Sequence, residues 1–130
     1  MTHVALYIAS AVVFFGLDFI WLSTMADRLY RPALGDMMLD QPNLPVAGGF
    51  YLVYLIGLLI LVTAPAQGDV MKALWMGALF GFVAYGTYDL TNLATLKGFT
   101  PTLVAIDMAW GTFLTGTSAA AAVWIAGFFK

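Results

Sequence analysis

Apolar residues fill four long runs of this chain, Val4 to Met25, Gly48 to Ala66, Val70 to Leu96 and Thr102 to Phe129, and polar residues gather between them. Each run reaches or nearly reaches the roughly 20 residues that a helix rising about 1.5 Å per residue needs to cross a hydrocarbon core of about 30 Å. The connections Gln67 to Asp69 and Lys97 to Pro101 are too short to do anything but join antiparallel neighbours. The pattern therefore predicts an all-α polytopic membrane protein: one domain, residues 1–130, with four transmembrane helices in an up-down-up-down bundle.

The long connection, Ala26 to Ala47, has a pattern of its own. Leu29, Tyr30, Ala33, Leu34, Met37 and Met38 recur at helical spacing, opposite Arg28, Arg31, Asp36 and Asp40. That reads either as a short helix entered at Pro32 and lying in the membrane interface, or as a surface loop, which Gly35 favours equally. Gln41-Pro42-Asn43-Leu44-Pro45 then reads as an irregular entry into the second helix. The first run lacks a basic leader, contains Asp18 and ends without a small-x-small cleavage site, so it is expected to be a retained helix rather than a secretion signal.

Composition narrows the chemistry. With 62% hydrophobic and 9% charged residues, the chain is too apolar for a soluble domain of 130 residues. It has no cysteine, which removes thiolate nucleophiles and zinc-thiolate sites, and its single histidine, His3, at the extreme terminus, leaves almost no material for serine-histidine catalysis or a histidine metal cluster. No cofactor is implied. With no basic cluster, nucleic acid is not an expected partner. The side with the first and third connections carries Arg28, Arg31 and Lys97 against Lys72 and Lys130 on the other, a slight bias toward a cytoplasmic position for those connections. A balance so close is what a dual-topology antiparallel dimer would show, and equally what a monomer or parallel oligomer with a poorly encoded topology would show.

Three acids interrupt the runs themselves: Asp18, Asp89 and Asp107. A carboxylate inserted at mid-helix costs about 2.5 to 3.5 kcal/mol on insertion scales, so three of them require compensation. Counted from the run centres they lie roughly 5, 9 and 12 Å toward the same face, inside a half-thickness of about 15 Å. They can share one layer. On the third run, Gly77, Gly81, Tyr85, Asp89 and Asn92 follow at spacings of three or four, making a stripe that is small at one end and polar at the other, with Tyr88 beside it. The small end permits close helix contact. Asp18-x-x-Trp21, Asp107-x-x-Trp110 and Asp89-x-x-Asn92 form a weak internal repeat in which each indole N–H can donate to a nearby acceptor. The interfacial aromatic belt is the alternative explanation of such residues. The second run brings Tyr51 and Tyr54 to the same layer and is otherwise expected to face lipid or a second copy.

Three carboxylates gathered in apolar surroundings cannot all be ionised without a cation. No lysine or arginine lies deep in any run, so a mobile partner is expected: a proton, a metal ion or another small cation, or a cationic substrate, with a lipid-like ligand as the partner if the protein is an enzyme. The binding candidates are Asp18, Asp89, Asp107, Asn92, Tyr85, Tyr88, Trp21, Trp110 and Tyr54. As plain helix-joining bonds these acids would return only about 0.6 kcal/mol each. Three functions fit: a small transporter or channel-like protein, an intramembrane enzyme using aspartate acid-base chemistry on a lipid or isoprenoid, or an accessory subunit of a membrane complex.

Leu17-Asp18-Phe19-Ile20-Trp21-Leu22, Tyr88-Asp89-Leu90-Thr91-Asn92-Leu93-Ala94-Thr95-Leu96 and Asp107-Met108-Ala109-Trp110-Gly111 resemble a bacterial family of small four-helix predicted membrane proteins of unknown function. The resemblance covers essentially the whole chain and implies a multi-pass location in the bacterial inner membrane. It implies no activity, substrate or cofactor. Size and helix count are also similar to those of small multidrug transporters and fluoride channels, which assemble as dimers; a homodimer is a candidate here because four helices enclose little volume and an oligomer would help to build a pathway. The first run has no glutamate and no run has a deep arginine, so that likeness is one of architecture.

Overall fold

The computed structural model describes residues 2–38 and 43–129, and its regular elements among them are all helical. The first run is α1, Thr2–Met25. It does not stop where the apolar pattern ends. A wide turn at Ala26–Tyr30, closed by the Arg31 N–H donating to the Ala26 carbonyl, carries the chain on into α2, Arg31–Leu34. Pro32 sits in the first turn of α2, as the sequence predicts, but the segment is a continuation of α1 rather than a separate interfacial helix or a loop. Gly35, at φ 56°, ends it in a conformation that a Cβ would strain. Leu29, Tyr30, Ala33 and Leu34 pack onto Phe99, Leu103, Val104 and Met108, which is why this short piece holds its place. Asp40, Gln41, Pro42 and Lys130 lie outside the described residues.

The second span, α3, runs Leu44–Leu58 and is extended by a second wide turn, Leu59–Thr63. It starts four residues before the apolar run, because the Asn43 side chain caps it by accepting from the Val46 N–H at 3.2 Å, with Pro45 in the first turn. Asp69 and Thr100 cap the last two spans in the same way, α4 at Val70–Thr95 and α5 at Pro101–Ala126. All four spans are long and apolar enough to cross a membrane.

Within the bundle α5 is central, packed between α1 and α4. The α4 to α5 seam is built from small residues. A Cβ on Gly81 would lie 2.4 Å from the Gly111 carbonyl oxygen, and one on Gly77 would lie 2.8 Å from the Ala119 side chain. Backbones this close exchange dispersion contacts along their length, the main attraction available where lipid removes the hydrophobic effect. Phe14, Leu55, Leu58 and Leu114 fill the centre between α1, α3 and α5. The opposite faces, including Val12, Phe19, Phe50 and Ile60, are exposed, as lipid-facing positions should be.

Candidate functional site

At the end of the bundle where α1 finishes and α3 and α5 begin, the packing opens. A cavity of about 840 Å³ is lined by Phe14, Asp18 and Leu22 of α1, Tyr30 beyond it, and Val46, Ala47, Phe50, Tyr51 and Tyr54 of α3. Ala84, Tyr85, Thr87 and Tyr88 of α4 and Asp107 and Trp110 of α5 complete it. Its floor is Tyr54, whose hydroxyl bonds Thr115 Oγ1 at 2.8 Å and whose ring lies 5.2 Å from that of Phe80. Below the floor Leu55, Leu58 and Leu114 have no exposed surface. The second span meets α4 mainly at Leu59–Thr63, on the far side of that floor. Above the floor the two helices make few contacts, and exposed Val46, Phe50, Thr87 and Tyr88 rim the gap between them.

The polar wall is a linked set of aromatic donors and carboxylate acceptors. Asp18, 4% exposed, accepts from the Tyr51 hydroxyl at 2.8 Å and from the Trp110 indole N–H at 3.2 Å. Asp107 accepts from the Tyr30 hydroxyl, which itself accepts from the Trp21 indole N–H at 2.9 Å. The two indoles stack, 4.4 Å between centroids and 7° between planes. Each indole therefore serves the other helix's branch: Trp110 serves Asp18, and Trp21 serves Asp107 through Tyr30. Bonds in such a chain polarise one another, so removing one member weakens the rest.

Several residues singled out in the sequence meet here: Asp18, Asp107, Trp110, Tyr54, Tyr85 and Tyr88 all line the cavity, and Trp21 lies behind Trp110. Tyr85 reaches in because Gly111 makes room, a Cβ there falling 2.1 Å from the tyrosine ring. Asp89 and Asn92 stand apart. Asp89 is buried on α4 beside Asp107 without reaching the cavity, and half-buried Asn92, a turn further along, does not line it either. Asp18 and Asp107 share a wall with Asp89 behind them.

Sequence reasoning missed Tyr30, which it assigned to the apolar face of a connecting helix. Asp18, Trp21, Met25 and Tyr30 are spaced three, four and five apart. In an unbroken α-helix a step of five turns a residue about 140° off the stripe. The wide turn at Ala26–Tyr30 absorbs that extra residue and returns Tyr30 to the site. Inserted turns of this kind are frequent at functional positions, and the 3-4-5 spacing was the available signal.

A family model described as "Predicted membrane protein (DUF2177)" matches residues 3–124. The chain belongs to this family. The DUF2177 match spans the whole site, from Phe14 through Asp18, Tyr30 and Tyr51 to Asp107 and Trp110, and takes in all four spans. No curated protein and no solved structure matches the chain. Family membership establishes a membrane protein, and the chemistry must be argued from the cavity.

Proposed function

We propose that this protein is a small carrier for a cationic amphiphile, which enters from the bilayer between α3 and α4 and sets its charged end against Asp18 and Asp107. One observation carries the reading: a cavity open between two membrane-spanning helices ends on two carboxylates, and no lysine or arginine is among its lining residues. Buried carboxylates without a positive partner leave a field that a ligand's charge can complete. The faces of Tyr51, Tyr85, Tyr88 and Trp110 add cation-π attraction, worth about 2 kcal/mol or more when desolvated. The rim of Val46 and Phe50 suits an acyl or aromatic tail.

A homodimer belongs to this proposal only as a means of exchanging access between faces. The bacterial inner membrane is the location that the sequence resemblance implies, and we adopt it. An enzyme acting on a lipid is the second reading, favoured by the adjacency of Asp89 and Asp107, since neighbouring carboxyl groups can divide acid and base roles.

Titration of the purified protein in zwitterionic nanodiscs, followed by tryptophan fluorescence, tests the proposal. Dodecyltrimethylammonium should bind saturably while an uncharged dodecyl ether does not. Asp18→Asn should weaken the cation about tenfold, a loss of about 1.4 kcal/mol. Equal binding of the two probes, or an unaltered affinity in both Asp18→Asn and Asp107→Asn, defeats the reading. Recovery of a chemically altered lipid after incubation would move the assignment to the enzyme.

A further inference from the structure

Asp89 is the acid of the trio that a ligand in the cavity does not touch. It is 1% exposed, and neither carboxylate oxygen has a hydrogen-bond donor among the described residues. The polar group set against it is the carboxyl of Asp107 on α5, for the two helices pack closely here, Gly86 against Met108 and Tyr85 against Gly111. Tyr88, on its own helix, lies near, and from the segment after α1 the Tyr30 hydroxyl hydrogen goes to Asp107. Asp18 of α1 is satisfied by Tyr51 and Trp110. No cation faces the pair among the described residues, whose one ion pair joins Arg31 to Asp27 at the surface. Nor do those residues hold a group of three acids or histidines placed to ligate a metal.

Two carboxyl groups set against each other across a closely packed seam, with no donor or cation between them, repel unless an O–H on one donates to an oxygen of the other. Building on the cation reading above, we propose that Asp89 and Asp107 hold one proton between them in the empty site and release it when a cation enters, so that binding is proton exchange. The O–H bond of the pair breaks, the proton leaves to water by way of Asp107, which lines the cavity, and the ligand's charge takes its place. Asp89 is then a proton-holding residue without ligand contact. Its burial leaves Asp107 as the proton's route to the cavity.

Two measurements test this separately. Infrared spectroscopy of the ligand-free wild type at neutral pH should show the C=O stretch of a protonated carboxyl group, lost in Asp89→Asn and retained in Asp27→Asn. Absence of that band, or its survival in Asp89→Asn, overturns the proposal whatever binds. In weak buffer, binding of dodecyltrimethylammonium, whose charge is independent of pH, should release about one proton per molecule. Its affinity should rise about tenfold per pH unit while the pair still holds its proton. Asp89→Asn should bind without release. Binding to the wild type with no proton released overturns the exchange while leaving the cation reading intact. A band without any binding removes the cation reading and the exchange together, and leaves the shared proton standing.

Discussion

One stripe of α4 has two ends that behave in opposite ways. At Gly77 and Gly81 the helix lies so close to α5 that backbone and side-chain atoms of Gly111, Thr115 and Ala119 occupy the space a Cβ would need. One turn on, at Tyr85, the same face carries a ring and the bundle opens into the cavity, and a turn further it carries the buried carboxylate of Asp89. The difference lies in residue size alone, for the spacing never changes. Hydrogen at Cα lets the backbones clamp together and fixes the angle between α4 and α5, and a bulky polar side chain further along then has room that the clamp makes available. The tight half is a fulcrum for the open one.

Enlarging the clamp should have the greatest effect. Gly81→Leu cannot be absorbed by rotamer changes, because the first obstacle is the Gly111 carbonyl oxygen at 2.4 Å. We expect a loss of about 3 kcal/mol, at the upper end of ordinary overpacking, read as a fall in thermal midpoint in detergent. The matched control is Gly16→Ala on the open face of α1, where nothing lies within 4 Å of the added carbon. That change should stabilise by about 0.5 to 1 kcal/mol through helix propensity. Equal effects at the two positions would mean that the seam is not the clamp.

Gly111→Ala acts where the two halves meet. The added methyl would fall 2.1 Å from the Tyr85 ring, and a ring, unlike a carbonyl, can swing away. It has to swing into the cavity. The stability loss should therefore be smaller than for Gly81→Leu, about 1 to 2 kcal/mol, while cation-probe affinity falls by more than the stability change would suggest. A variant that loses stability but keeps full probe affinity would detach Tyr85 from the site.

This division also explains what could be read before folding. The four spans were legible because an apolar run of about 20 residues has few other uses. The clamp was legible because Gly77 and Gly81 sit at helical spacing, and the meeting of Asp18 with Asp107 because both run toward the same membrane face. Periodicity assigns a residue to a face of its own helix and says nothing of the partner across the gap. Hence the exchange of indoles between branches, the withdrawal of Asp89 behind Asp107, and the return of Tyr30 through a wide turn all escaped. Each depends on the rotation of one helix against another. The continuation of α1 into α2 escaped for a related reason: Arg28 and Arg31 mark the end of an apolar run without marking the end of a helix.

The smallest effect we expect separates the bonds of the open half from its charges. Tyr51→Phe removes the hydroxyl that donates to Asp18 at 2.8 Å and leaves the ring in its edge contact with Phe14, 5.5 Å between centroids. Side-chain bonds between membrane helices average about 0.6 kcal/mol, so the thermal midpoint should hardly move. Asp18 keeps the Trp110 N–H as a donor but carries its charge with one fewer bond. Its hold on a cation should therefore be undiminished or slightly tighter, since the carboxylate is less well satisfied by the protein itself. Loss of cation affinity in Tyr51→Phe comparable to that in Asp18→Asn would instead assign the recognition to the hydroxyl, and the open half would then be a hydrogen-bonding pocket rather than an electrostatic one.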